Sequence, residues 1–298
     1  MPEGDTVWRT AARLHEALAG QVLTVADLRW PSLATVELTG ATTTQVLARG
    51  KHLLHRLDNG ATLHSHLRME GQWRVVASAA LSSRTLADPQ LRAVVGTDRW
   101  SALGLRLGRL DVVATAAEGD LVGHLGPDLL GPDWDSGEAA RRVAASASDL
   151  GSALLDQRNL AGLGTLYVAE TLFLTGRSPW TPVAEIPPTD LDETLAKARN
   201  LLRAGTRQAV QSTTGEYRRG RTTYVHARAG LPCRRCGSTV RVASIGTLPV
   251  QRVMFYCPQC QGGLGPTDNG RAQRPTPTTP RRPTLPTGRS GRAAPRPR

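Results

Sequence analysis

Apolar residues recur at Val7, Ala11, Leu14 and Leu18, the spacing of one helix face, and predict an amphipathic helix over 3–18 ended by Gly20. The pattern then shortens. Apolar or alternating runs at 22–28, 34–38, 45–48, 52–57, 61–66, 72–76, 91–95 and 103–115 read as strands, and Asp58-Asn59-Gly60 marks a hairpin turn. This spacing fits a first domain built on a β-sandwich. The turn-rich stretch 123–129 ends it, and helical periodicity follows at 136–147, 151–156, 166–175 and 189–211. From Thr222 the chain reads as hairpins around four cysteines, and 263–298, rich in Pro, Thr, Gly and Arg, reads as disordered because it cannot bury a core. The fold class is therefore α+β and multidomain, divided as 1–122, 123–222, 223–262 and a tail 263–298.

A chain of 298 residues supports two or three domains with proper cores. The net charge is +12; residues 267–298 hold eight Arg and one Asp, leaving +5 for the rest. Both parts are thus basic, which points to a polyanion, nucleic acid first, although charge alone also fits a merely soluble basic protein. No apolar run is long enough to span a membrane and the N-terminus lacks a secretory pattern, so an intracellular, cytoplasmic or nucleoid-associated protein is expected.

Cys233-x2-Cys236 and Cys257-x2-Cys260 match the four-thiolate pattern of a structural zinc site, with two disulfides as the competing reading. Asp156 to Glu170 joins two helices through Gly162 and Gly164, a shape suited to DNA-backbone contact or to an ordinary helical hairpin. Backbone N–H groups at the start of the second helix are candidates to take a phosphate. Removal of Met1 would free the secondary amine of Pro2, a covalent nucleophile for an aldehyde-level carbon, with Glu3 beside it to move a proton. The bland alternative is a helix start. Lys51 heads a strand. His64 and His66 share a strand face and, with His52 and His55, raise a metal reading that lacks carboxylate or thiolate partners. Met69 is either core filler or a wedge for a base stack, and Arg252 either a solvated hairpin residue or a phosphate contact.

Taken together, Met1-Pro2-Glu3-Gly4-Asp5, Gly50-Lys51-His52-Leu53-Leu54, His64-Ser65-His66-Leu67-Arg68-Met69, the Ala161–Glu170 turn and the cysteine-bearing end of the chain resemble the formamidopyrimidine-DNA glycosylase/endonuclease VIII family. The resemblance implies an N-terminal helix with a β-sandwich, a helix–two-turns–helix domain and a zinc finger. It implies a bifunctional DNA glycosylase and abasic-site lyase of base-excision repair. In that scheme Pro2 is the Schiff-base nucleophile, Glu3 the proton donor, Lys51 the lysine of β-elimination and Arg252 the arginine of δ-elimination. His66 and Met69 contact DNA, Glu170 supports Pro2, and one structural Zn2+ is held by Cys233, Cys236, Cys257 and Cys260. The implied partner is damaged duplex DNA, with single-stranded or bubble DNA left open, bound by a monomer. Two features depart from the usual pattern: Thr165 stands where the family's turn has Asn, and no Arg-Phe pair is recognisable near 100–112. The second, with Gly4-Asp5 and the short connection from Gln211 to Tyr224, points to an endonuclease VIII-like member acting on oxidised pyrimidines. A zinc-stabilised lesion- or abasic-site-binding protein is the alternative.

Overall fold

The computed structural model describes residues 2–249 and 251–275. Helix α1 (Gly4–Leu18) buries Val7, Ala11, Leu14 and Leu18, the stripe predicted from their spacing. Eight strands follow: β1 (Val25–Leu28), β2 (Thr43–Arg49), β3 (His52–Leu57), β4 (Ala61–His66), β5 (Gln72–Ala77), β6 (Leu91–Gly96), β7 (Trp100–Leu105) and β8 (Arg109–Ala114). They pair antiparallel into two four-stranded sheets, ordered β1-β6-β7-β5 and β2-β3-β4-β8. Leu14 and Leu18 of α1 join Leu53, Leu63, Val95, Ala102 and Leu110 in one core. Gly60 closes the β3–β4 hairpin at φ 78°, a left-handed conformation that costs glycine little.

Two expected strands differ. Residues 34–38 form no strand; they follow a short helical turn at Pro31–Leu33, and Leu33 reaches the core from that turn and Leu38 from irregular backbone. Residues 103–115 are not one strand, because Arg106 adopts φ 49° and turns the chain from β7 in the first sheet to β8 in the second.

Short helices α2 (Ser83–Leu86) and α3 (Glu118–Val122) precede the helical part, formed by α4 (Ser136–Ala144), α5 (Leu150–Leu155), α6 (Thr165–Leu174) and α7 (Pro188–Gly205). Nearly every position of α6 is buried, so it runs through the core against α5 and α7 rather than lying on the surface as an amphipathic helix. Helix α7 stops at Gly205, short of the expected 211. A Cβ there would stand 2.2 Å from the Tyr167 hydroxyl oxygen and 2.9 Å from Asp5.

The cysteine-bearing part is a hairpin of β9 (Arg241–Ile245) and β10 (Arg252–Tyr256), with Arg252 opposite Ile245. The expected start of disorder at 263 is too early. Asp268 forms an ion pair with Arg241 at 2.5 Å and accepts a bond from Tyr256 Oη at 2.6 Å. Gln273 pairs with Val242 as a strand peptide would: its Oε1 accepts from the Val242 N–H at 2.8 Å and its Nε2 donates to the Val242 carbonyl at 2.9 Å. Composition measures core-forming capacity and misses this polar pairing along β9. The remainder of the expected tail, 276–298, lies outside the described residues.

Candidate active site

The turn between α5 and α6 forms a cradle for the N-terminal residues. Gly4 donates its N–H to the Gly162 carbonyl at 2.9 Å, and the two glycines approach so closely that a Cβ on Gly4 would lie 3.0 Å from Gly162 Cα. Glu3 is fully buried. Its Oε2 accepts from the N–H of Gly164 at 2.8 Å and of Tyr167 at 3.4 Å, and its Oε1 from Leu166 at 2.9 Å. The start of α6, expected to receive a phosphate, therefore binds a carboxyl group of the same chain. The physical basis is unchanged, since orphan N–H donors at a helix N-terminus attract acceptor oxygens. Burial raises the Glu3 pKa above the usual carboxylate range, opposed first by the Lys51 charge and then by the three N–H donors.

Lys51 arrives from the opposite side. Gly50 precedes it at φ 58°, and its N–H is fixed by Asp128 Oδ2 at 2.6 Å. The ammonium of Lys51 donates to the Leu163 carbonyl, which also accepts from Gln157 Nε2 at 3.0 Å. Burial pushes the Lys51 pKa down, Glu3 raises it and Arg252 lowers it further. Lys51 thus feels the charges of Glu3 and Arg252, although the three come from separate parts of the chain. Pro2, half-buried, is bonded to Glu3 and so stands next to the same cradle.

His66 Nδ1 accepts from the Arg68 N–H at 2.9 Å in a turn where Arg68 has φ 55°, and Met69 beyond it is 65% exposed. Met69 is therefore not core filler. The histidines do not gather as one metal set. His55 faces the sandwich interior, 2.8 Å from Thr43 Oγ1, whereas His52, His64 and Asp111 form a chain on the other face with contacts of 2.8 and 2.9 Å. Among the described residues only Cys233, Cys236, Cys257 and Cys260 converge for a metal, their sulfurs all within 4.8 Å of one another. Four thiolates in that space suit a tetrahedral ion and leave no open position.

Glu170 was expected to support Pro2. Its hydrogen bonds instead run to the N–H groups of Tyr224, Val225 and His226, each at 2.8 Å, and to the Thr213 hydroxyl. A buried carboxylate needs several donors, and this strap into the finger supplies them. Thr165 opens α6 and is buried to 8% exposure. The motif reading gave no role to Asp5, which accepts from Tyr167 Oη at 3.0 Å and Gln211 Nε2 at 2.9 Å, nor to Gln157 and Asp128. Gln157 and Asp128 lie in the turn-rich segments 156–170 and 123–129, but only the fold brings them to the glycine turn.

The formamidopyrimidine-DNA glycosylase N-terminal domain matches residues 1–110, and the formamidopyrimidine-DNA glycosylase H2TH domain matches 125–216. The chain belongs to the formamidopyrimidine-DNA glycosylase/endonuclease VIII family. A family member from Streptomyces coelicolor, "Probable endonuclease 8 2", is 50% identical over 91% of this chain and 98% of its own length. The "DNA-(apurinic or apyrimidinic site) lyase Nei2" of Mycolicibacterium smegmatis is 44% identical over 88% of this chain and 99% of that one. A Rhizorhabdus wittichii relative named formamidopyrimidine-DNA glycosylase is 35% identical over 88% of this chain and 100% of its own. Among solved structures, Lactococcus lactis Fpg in complex with DNA containing an abasic site superposes with a TM-score of 0.71 over 88% of this chain and 100% of that one, at 22% identity. That likeness establishes the family's fold for this chain. The match to the H2TH domain confirms the helix–two-turns–helix reading of α5, the glycine turn and α6.

Proposed function

We propose that the protein is a bifunctional DNA glycosylase and abasic-site lyase of base-excision repair. The observation that carries this reading is the seating of Pro2-Glu3 in the glycine turn, with the Glu3 carboxyl buried on the α6 N-terminus and Lys51 feeling the charges of both Glu3 and Arg252. Once Met1 is removed, the Pro2 amine attacks C1′ of the damaged nucleotide. The N–C1′ bond forms as the bond to the base breaks, and the amine's proton leaves with the base. Glu3 then protonates the sugar ring oxygen as the C1′–O bond opens, giving an iminium cation; its raised pKa suits it to hold that proton. The iminium acidifies C2′. Loss of that proton forms a C2′–C3′ double bond and expels the 3′ phosphate, and a second elimination expels the 5′ phosphate. Lys51 and Arg252 stabilise the departing phosphates.

In this reading residues 1–122 carry the nucleophile, 123–222 the DNA-binding turn, and the finger from 223 to Gln273 presents Arg252. Cys233, Cys236, Cys257 and Cys260 hold one structural Zn2+, which fixes the β9–β10 hairpin. His66 and Thr165 contact the backbone of damaged duplex DNA, and exposed Met69 fills the gap left by the extruded base. The protein acts as an intracellular monomer. Oxidised pyrimidines are the favoured lesions. The endonuclease 8 names of relatives at 40–50% identity support this, and so does the strap 212–226, folded against Glu170 with no long base-capping loop.

Borohydride trapping on end-labelled duplexes carrying an oxidised pyrimidine or an abasic site tests the proposal, with intact mass establishing that Pro2 is exposed. Covalent adducts on both substrates are expected, and Pro2→Gly is expected to lose most base excision while retaining DNA affinity. An adduct on the abasic site alone reduces the activity to a lyase. No adduct on either leaves the lesion-binding alternative. Full excision by Pro2→Gly would remove the nucleophile assigned here.

A further inference from the structure

Four basic residues stand side by side across the sheet β2-β3-β4-β8. The register sets Arg49 opposite His52, His52 opposite His66, and His66 opposite Arg109, and cross-strand partners share a face. The His52 and His66 rings meet edge to face with centroids 5.1 Å apart, and the ring of exposed His124, from the connector after α3, stands 6.3 Å from His52. Arg49 is turned to the Gly126 carbonyl at 3.0 Å. The carboxylates nearest this row are already engaged. Asp111 accepts from His64 Nδ1 at 2.9 Å and Arg109 Nε at 2.7 Å, and Glu118 accepts from Arg56 and Thr62.

These contacts fix where the protons sit. A carboxylate only accepts, so Asp111 places the proton of the neutral His64 ring on Nδ1. His64 Nε2 is then a lone pair, and its 2.8 Å contact with His52 requires an N–H at His52 Nδ1. His52 Nε2 is left as a bare lone pair. It has no hydrogen-bond partner among the described residues and is not sealed from solvent. In His66 the Arg68 N–H occupies Nδ1, so Nε2 carries the proton. Burial pushes the His52 pKa down to about 3, and the charges of His66, His64, His124 and Arg109 act in the same direction. Burial takes His66 to about 4, with Arg68, Lys51, His64 and Arg109 adding to it, and lowers His64 against the pull of Asp111. The row is therefore neutral at its rings and set in a positive field. A phosphate is drawn by the same cations that hold a proton off, and its charge offsets theirs.

We infer that His52 and His66 form a proton-gated seat for a DNA phosphate, in which binding places a solvent proton on His52 Nε2 and Asp111, acting through His64, stabilises the charge. Protonation turns Nε2 from an acceptor, which repels a phosphate oxygen, into a donor that pairs with it. No bond of the phosphate changes. The inference rests on the proposed function, which sets His66 on the DNA backbone, and it adds His52, His64 and Asp111 to that contact. DNA affinity then carries a proton term and falls as pH rises.

Calorimetric titration of the full-length, zinc-loaded protein tests it, using a duplex that carries a tetrahydrofuran analogue of an abasic site. Repeating the titration in buffers of different ionisation enthalpy counts the protons bound. Uptake is expected to approach about one proton per complex as pH falls from about 8 to about 5.5, with log K rising by up to about one per pH unit. His52→Gln, whose amide N–H donates at any pH, should lose most of the uptake and flatten the pH dependence. Asp111→Asn keeps an acceptor for His64 without the charge and should also take up less; it serves where His52→Gln does not fold. A wild-type protein that takes up no proton, or an uptake unchanged in the folded variants, would overturn the inference. Borohydride trapping of the same wild-type preparation on an abasic duplex reports on the proposed function separately. An adduct without proton uptake rejects the seat alone, and uptake without an adduct supports the seat while rejecting the enzyme.

Discussion

Glu3 sits where two effects on a carboxyl group compete: removal from water favours its acid form, and three backbone N–H donors favour its anion. Burial is the larger, so its pKa lies above the ordinary carboxylate value. A raised pKa keeps the proton to higher pH. Formation of the borohydride-trapped iminium should therefore decline as pH rises through the Glu3 pKa, approaching about tenfold per pH unit beyond it, in single-turnover measurements. The seat itself is tight. A Cβ on Gly164 would lie 2.6 Å from Glu3 Cδ and Oε1, so Gly164→Ala must displace the carboxyl or the turn. We expect that variant to lose at least about tenfold in adduct formation, since a displacement of this size near a reacting centre has such effects. Near-wild-type trapping would show that Glu3 tolerates another position. Motif residues such as Pro2, Glu3 and Lys51 were legible because their types announce their chemistry. The contact of Glu3 with Gly164, Leu166 and Tyr167 was not, because no local pattern links residue 3 to residues beyond 160.

At the level of elements, periodicity reported what each segment buries but not what it joins. The stripe Val7, Ala11, Leu14, Leu18 gave α1 its face, and the Asn-Gly turn gave the β3–β4 hairpin. The break at Arg106 leaves no mark in the pattern, because apolar residues continue on both sides while the chain changes sheets. Helix α6 shows the same limit. Its pattern fits a phosphate-binding N-terminus or an ordinary helical hairpin, but its N-terminus holds Glu3 and its Glu170 holds the strap that enters the finger. Truncating Glu170 to Ala would leave the N–H groups of Tyr224, Val225 and His226 without their acceptor. With each buried, unsatisfied group costing about 1–3 kcal/mol, and water reaching the two half-buried ones, we expect a loss of about 3 kcal/mol in urea unfolding. Glu170→Gln, which keeps one acceptor oxygen, should lose less. Equal stability of Glu170→Ala and wild type would mean that the strap is held by other contacts.

The whole molecule is basic twice over, in residues 1–275 and in 276–298, and the two charges have different standing. Asp268, counted by composition as a stray acid in a basic tail, is paired with Arg241 and Tyr256 of the finger, so the chain up to Gln273 belongs to the fold. What remains, 276–298, holds six Arg and no Asp or Glu. If those arginines meet DNA phosphates, each contact releases counterions and steepens the fall of log K with log salt by about 0.9. Deleting 276–298 should then make the slope shallower by up to about 5, weaken binding at low salt, and leave trapping at saturating DNA unchanged. Deletion from 263 should do something further. It removes Asp268 and Gln273 from β9, and so should also lower the finger's stability and displace Arg252, which is borne on the paired strand. Salt titrations of both truncations, read beside their thermal unfolding, separate attraction from architecture. An unchanged slope in the shorter deletion would assign the arginines of 276–298 no part in holding DNA, and would place the binding charge on the folded surface alone.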